Sequence, residues 1–234
     1  MSERPPAKAQ RLRVRFSRGP EAASIGHLDL ARVWERAFHE AGVAVSYSQG
    51  NRPHPRLVLA AGLPVGVTSE GELLDVVLAE RADPAALPAR VTPQLPAGLV
   101  ALEAQEVGMG LPALPAAVRW ADYEADVPDA GDVDEAVRGF LANDALDWED
   151  TRGEKVRRYD LRALVQELRV EQRCAGSVRL GMRLRCGTAG VGRPDQVVKA
   201  LGLPAPSRVH RTKLVLAEAS PAREAWRRRG RFVE

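Results

Sequence analysis

A chain of 234 residues can build one large domain or two small ones; hydrophobic residues make up 45%, and with aromatics at only 5% the core must rest on Leu, Val and Ala. No apolar run approaches the roughly 20 residues of a membrane helix, and the polar, proline-containing start from Met1 to Gln10 has no apolar signal-peptide core, so a cytoplasmic address is expected. The net charge of +3 hides an asymmetry: residues 1–118 carry twelve basic and twelve acidic side chains, 119–150 carry two and eleven, and 151–234 carry twenty and eight.

Leu12, Val14 and Phe16 alternate with Arg11, Arg13 and Arg15, the period of two of a strand with one buried face. A helix is expected over residues 28–41, with Leu30, Val33, Trp34, Ala37 and Ala41 on one stripe and Gly42 ending it. Residues 43–48 read as a second strand. Residues 57–60 and 73–78 read as further strands, taken together as one interrupted strand region. Asp83-Pro84 reads as a helix start, and residues 99–107 as a closing strand. The order strand–helix–strand–strand–helix–strand predicts a ferredoxin-like unit over residues 11–107.

Beyond a linker rich in Gly and Pro, the plan repeats over residues 118–217. Its elements are a strand at 118–125, a helix capped by Asp132, an alternating strand at 178–185, a helix opened by Arg193-Pro194-Asp195, and a last strand at 209–217. In residues 160–170 the spacing of Leu161, Leu164, Val165 and Leu168 suits a helix, while the topology asks for a strand. The expected fold class is α+β, two tandem ferredoxin-like (βαββαβ) units with antiparallel sheets. A basic tail over 218–234 carries five arginines between Arg223 and Arg231.

Chemistry-bearing residues gather in two places. In the first half, His27, Asp29 and Arg32 open the first helix, and Tyr47, Ser48, Gln49, Gly50, Asn51, Arg52 and His54 form a polar loop stiffened by Pro53 and Pro55. If residues 43–48 are the second strand of a parallel strand–helix–strand unit, both segments leave the sheet at the same end and form one site. Gly50 permits close backbone approach to a ligand. His27 and His54 are candidates for an acid–base pair; a helix-end role for His27 and a loop-structural role for the rest stay open. In the second half, Arg157, Arg158 and Arg162 surround Tyr159 and Asp160, a set able to grip phosphate and stack on a base, or to form a surface ion-pair network. Arg193 closes a glycine-rich loop before a helix, a weak anion-site signal. Cys174 and Cys186 form no C-x-x-C pair and the four histidines lie far apart, so no metal or cofactor is expected.

These residues resemble the radical-SAM-linked proteins, a bacterial family encoded beside, or fused behind, a cobalamin-domain radical SAM protein. The resemblance runs through Arg13-Val14-Arg15-Phe16, Gly26-His27-Leu28-Asp29-Leu30, the unusual string Tyr47-Ser48-Gln49-Gly50-Asn51-Arg52-Pro53-His54-Pro55, Leu63-Pro64-Val65-Gly66 and Ser69-Glu70-Gly71-Glu72. It continues more loosely at Tyr159-Asp160-Leu161-Arg162 and Arg193-Pro194-Asp195, and covers residues 11–216. The family often has Phe where Asn51 stands, so the loop tip is more polar here. The resemblance implies a non-catalytic accessory or substrate-presenting partner of a radical SAM enzyme, in RNA or ribosome modification. A second reading, by analogy of expected fold alone, is a metal-independent endoribonuclease resembling CRISPR-repeat-processing enzymes, although their C-terminal glycine-rich loop is not evident. A third is a protein-only adaptor.

Overall fold

The alternation at the start of the chain is realised in β1 (Gln10–Arg18). It turns Leu12, Val14 and Phe16 into a core and sends Arg11, Arg13 and Arg15 to the opposite face. α1 (His27–Glu40) lays Leu30, Trp34, Ala37 and Phe38 against them, with Trp34 edge-on to Phe16 at 4.9 Å between centroids. It stops at Gly42, whose φ of 67° is the left-handed turn that glycine tolerates. Then come β2 (Leu57–Leu59), β3 (Thr68–Leu78), α2 (Leu87–Val91) and β4 (Leu99–Glu106). The rest of the chain forms α3 (Leu114–Ala117), β5 (Val118–Pro128), α4 (Val133–Ala142), β6 (Asp147–Arg152), β7 (Lys155–Asp160), β8 (Val165–Cys174), β9 (Ser177–Arg185), α5 (Pro194–Ala200) and β10 (Arg208–Leu216). α4 starts as its sequence predicts: Asp132 Oδ1 accepts the Glu135 N–H at 2.9 Å. This computed structural model describes residues 8–153, 155–187 and 190–217; the basic tail and two residues of the glycine-rich loop before α5 lie outside the described residues.

The architecture is α+β. Among the described residues, five helices accompany one eight-stranded sheet, and β6 and β7 form a separate two-stranded ribbon. The strand order is β4-β1-β3-β10-β5-β9-β8, with β2 also on β3. Every pairing is antiparallel except one. β10 meets β3 in parallel, through His210–Thr68 and Arg211–Ser69. The two halves therefore share a single mixed sheet instead of closing two antiparallel ones. Gly71 allows the junction, because a Cβ there would lie 2.3 Å from the Thr212 carbonyl oxygen. No helix among the described residues is long and apolar enough to cross a membrane.

The junction is polar and buried. Arg211 is 0% exposed and its guanidinium meets both oxygens of Glu72, with Nε at 2.7 Å from Oε1. Nη1 also donates to the Gly62 carbonyl at 3.1 Å and to the Tyr123 hydroxyl at 3.3 Å. Tyr123 belongs to the second core, and Glu72 lies opposite Phe16 of the first. Burial works against the Arg211 charge, and the carboxylate beside it more than offsets this, so the guanidinium stays protonated. On the adjoining residue, His210 Nδ1 and Thr68 Oγ1 share a hydrogen bond of 2.7 Å.

Several elements depart from the sequence reading. Residues 43–48 make isolated contacts and no strand: Val45 bridges Leu78, and Ser46 N donates to the Val77 carbonyl. The region 57–78 is not one interrupted strand, because β2 and β3 pair antiparallel through Leu57–Val76 and Leu59–Leu74. Asp83 closes a local turn by accepting the Ala85 N–H at 3.0 Å, and the helix waits until Leu87. In residues 160–170 the strand wins. A 3-10 turn at Arg162–Leu164 reverses the chain and β8 pairs with β9, burying Leu161, Val165 and Leu168 from turn and strand rather than from helix.

Glu72→Gln leaves the Arg211 charge buried without its counter-charge and should lower unfolding free energy in urea by about 3–5 kcal/mol, whereas Asp29→Asn on the surface should stay within about 0.5 kcal/mol. Burial first, and Arg208 next, hold the His210 pKa below the ordinary value. A lowered folded pKa favours the neutral form, so this contribution is complete above the unfolded value of about 6.5 and is lost as the pH falls through the folded one. His210→Gln should therefore flatten the fall in melting temperature that the native protein shows below about pH 6.5.

Candidate functional site

The polar loop is extruded from an edge. Ala44 O accepts the Ala79 N–H, Ser46 N donates to Val77 O, Val77 N donates to Arg56 O, and β2 continues the line along β3. Residues 47–55 thus leave and rejoin one line of edge pairing at nearly the same point. The base is closed by Ser48 N to His54 O and Arg56 N to Ser46 O, each 2.8 Å, and by Ser48 Oγ, which accepts the His54 N–H at 2.9 Å. Tyr47 braces it from α1: its hydroxyl donates to Glu35 Oε1 at 2.9 Å, and burial together with that carboxylate raises the phenol pKa. Arg56 Nε donates to the Tyr47 carbonyl at 3.2 Å. Beyond the braced base, Gln49, Gly50, Asn51, Arg52 and His54 are all exposed, and Gly50 takes a φ of 120° that other residues rarely adopt.

The expected union of this loop with the start of α1 does not form at their backbones. The loop base faces Val77, which pairs with Arg11 at the start of β1, whereas α1 follows Arg18 at its end. Seven strand residues, roughly 20 Å, separate the two. His27 and His54 are both exposed and no hydrogen bond joins them. Asp29 and Arg32 pair with each other at 2.9 Å on the exposed face of α1. The misplaced link was the strand at 43–48, which would have carried the loop to the far end of the sheet.

The second-half set is also redistributed. Tyr159 packs against the second core from β7 and its hydroxyl donates to Gln196 Oε1 at 2.5 Å, so the ring is not presented for stacking. Asp160 Oδ1 accepts the N–H groups of Leu146, Arg162 and Ala163, and these bonds, that of Leu146 first, hold its pKa below the ordinary value. Arg158 pairs with Glu149 at 2.9 Å and Arg157 lies opposite Asp150. Arg162 donates to the Val165 carbonyl, and Arg193 pairs with Asp195 at 2.8 Å. The acidic run and the basic remainder meet across strands: Asp122 with Arg183, Asp126 with Arg179 and Arg208, Asp129 and Asp134 with Arg173. Among the described residues, these pairs neutralise part of the charge imbalance along the chain. Tyr47 and Tyr159 depend on Glu35 and Gln196, which the sequence did not single out.

Among the described residues, no three His, Cys, Asp or Glu side chains are grouped as a metal ion requires. A family model described as "Uncharacterized protein conserved in bacteria (DUF2344)" matches residues 11–194. The chain belongs to that family. No curated protein matches it. A solved structure titled "Crystal Structure of a Cbf5-Nop10-Gar1 Complex" aligns with a TM-score of 0.47 and 11% identity, over 87% of this chain and 48% of that one. This DUF2344 chain thus spans about half of the chain it aligns with.

In this DUF2344 protein Tyr159 is a packing residue. Tyr159→Ala should cost about 2–3 kcal/mol of stability in urea, and should change any tRNA binding seen by anisotropy well below the melting temperature less than twofold. Loss of tRNA binding with stability intact would restore Tyr159 to a stacking role.

Proposed function

We propose that this protein is a non-catalytic accessory partner of a radical SAM enzyme and that loop 47–55 is its principal contact. The observation that carries the reading is the loop's construction. Its base is fixed by Tyr47–Glu35 and the Ser48–His54 bonds, while everything from Gln49 to His54 faces solvent. A pre-ordered tip loses little entropy on binding. The string that forms this loop also carries the resemblance to the radical-SAM-linked proteins. We read the framework as two βαββαβ units fused side by side. The strand orders β4-β1-β3-β2 and β10-β5-β9-β8 support it, each placing its fourth, first, third and second strands in turn. The β6–β7 ribbon is then an insertion in the second unit.

RNA as the substrate presented to that enzyme draws less support. Arg157 and Arg158 are exposed on β7, but Arg158 is already paired, and the cross-strand ion pairs leave less free positive charge than the sequence suggested. The ribonuclease reading asks for cooperation between His27 and His54, which lie on separate segments with no hydrogen bond between them.

The test is an anaerobic pull-down of the radical SAM protein of the same genome by the purified chain. Replacing residues 49–52 by four glycines should weaken retention at least about tenfold with an unchanged thermal melt. Failure of the native chain to retain the enzyme would refute the accessory role, and full retention by the glycine variant would refute the loop as its contact.

A further inference from the structure

Beside the loop base, on the face of β1, β2 and β3 opposite the first core, lies a groove of about 390 Å³. Its floor is apolar: Val58 and Val77 from the strands, with Met109 and Ala113 from the linker that crosses this face. Val58 is 36% and Met109 46% exposed, although both are large hydrophobic residues. Its rim is cationic. Lys8 and Arg56 line it. Among the described residues no carboxylate pairs with Lys8 or Arg56; Arg56 Nε donates to the Tyr47 carbonyl at 3.2 Å.

The one carboxylate in the groove does not oppose this field. Asp75 is buried and takes Arg11 Nη2 at 2.6 Å, Arg11 Nε at 3.1 Å, Arg13 Nε at 2.8 Å and Arg13 Nη2 at 3.0 Å. One negative charge under two positive ones leaves the floor net positive. Arg11 also donates to the carbonyls of Leu111 and Pro112, which fixes the linker as one wall. The wall and floor are thus pre-formed, and the groove presents apolar surface flanked by Lys8 and Arg56, neither of which has a carboxylate partner among the described residues.

We propose that this groove takes an acidic peptide segment of a protein partner, with an apolar side chain seated on Val58, Val77 and Met109 and its flanking carboxylates on Lys8 and Arg56. The apolar floor favours a peptide over a nucleic acid, whose phosphates would use the rim and leave the floor uncovered. The groove adjoins loop 47–55 through Pro55 and Arg56, so one partner can engage both. The proposal rests on the accessory reading for the partner's identity, and on the groove alone for the partner's chemistry.

The test is fluorescence anisotropy on the full chain at low salt with three labelled probes: a hexapeptide with Leu-Phe between two pairs of Glu, the same peptide with Gly-Gly at its centre, and hexauridylate. The first should bind about tenfold tighter than either of the others, and Lys8→Glu and Val58→Asp should each weaken it about tenfold. Lys8 is exposed, so its substitution reads binding rather than folding; Val58→Asp is read only with an unchanged thermal melt. Equal binding of the glycine peptide or of hexauridylate, or native affinity in Lys8→Glu, would overturn the proposal. No radical SAM protein enters this assay, so a failed pull-down leaves the groove standing and a failed titration leaves the accessory role standing.

Discussion

One buried ion pair determines how the two halves of this chain become one sheet. β10 and β3 share only two residue pairs, too few to hold by ladder hydrogen bonds alone. Arg211 adds side-chain bonds to Glu72, to Gly62 and to Tyr123 at that point, and so links a strand of the first half, a loop behind it and a strand of the second. A pair this deeply buried adds little net stability over a hydrophobic replacement, but it tolerates few other arrangements, since either charge left alone is costly. Its role here is to fix register. Gly71 is the steric counterpart, since the same approach that brings Arg211 to Glu72 brings Thr212 against the glycine.

Charge is handled differently on the two exposed sheet faces. On β5, β9 and β10, acids and bases alternate across strands and neutralise one another, with Asp126 held well ionised chiefly by its Arg179 hydrogen bonds. On β1 to β3 the acids are fewer, and Asp75 meets both Arg11 and Arg13. A linear count of charge does not say which bases have partners. It pointed to residues 151–234, where Arg158, Arg173, Arg179, Arg183, Arg193 and Arg208 pair with the acidic run, and gave no sign of Lys8 and Arg56 in a half whose sum is zero.

What could be read from the sequence follows the range of the forces involved. Local patterns were legible: the alternation in β1, the stripe on α1 and the Asp132 cap. The loop was legible as a loop, because two prolines and a glycine exclude regular structure. Its exit point was not, since the segment before it and residues 57–59 share one line of pairing along β3, an arrangement set by long-range packing. The β6–β7 ribbon escaped because its strands bury only Trp148 and Tyr159 among many charged residues, so no hydrophobic period marks it. Tyr159 looked exposed in a run of arginines; its burial is decided by Gln196, 37 positions away.

The parallel junction also has a consequence for how the chain is made. Thr68 and its partner His210 are 142 positions apart, which a ribosome covers in roughly 7–28 s at 5–20 residues per second. Through that interval the first half can complete its core, but the start of β3 lacks its neighbour. An open strand edge recruits other strands. The Gly71 notch and the charged Glu70 and Glu72 beside it leave a poor template for any strand that does not bring an arginine to the right register. The same geometry that admits β10 thus guards the nascent edge until β10 is synthesised.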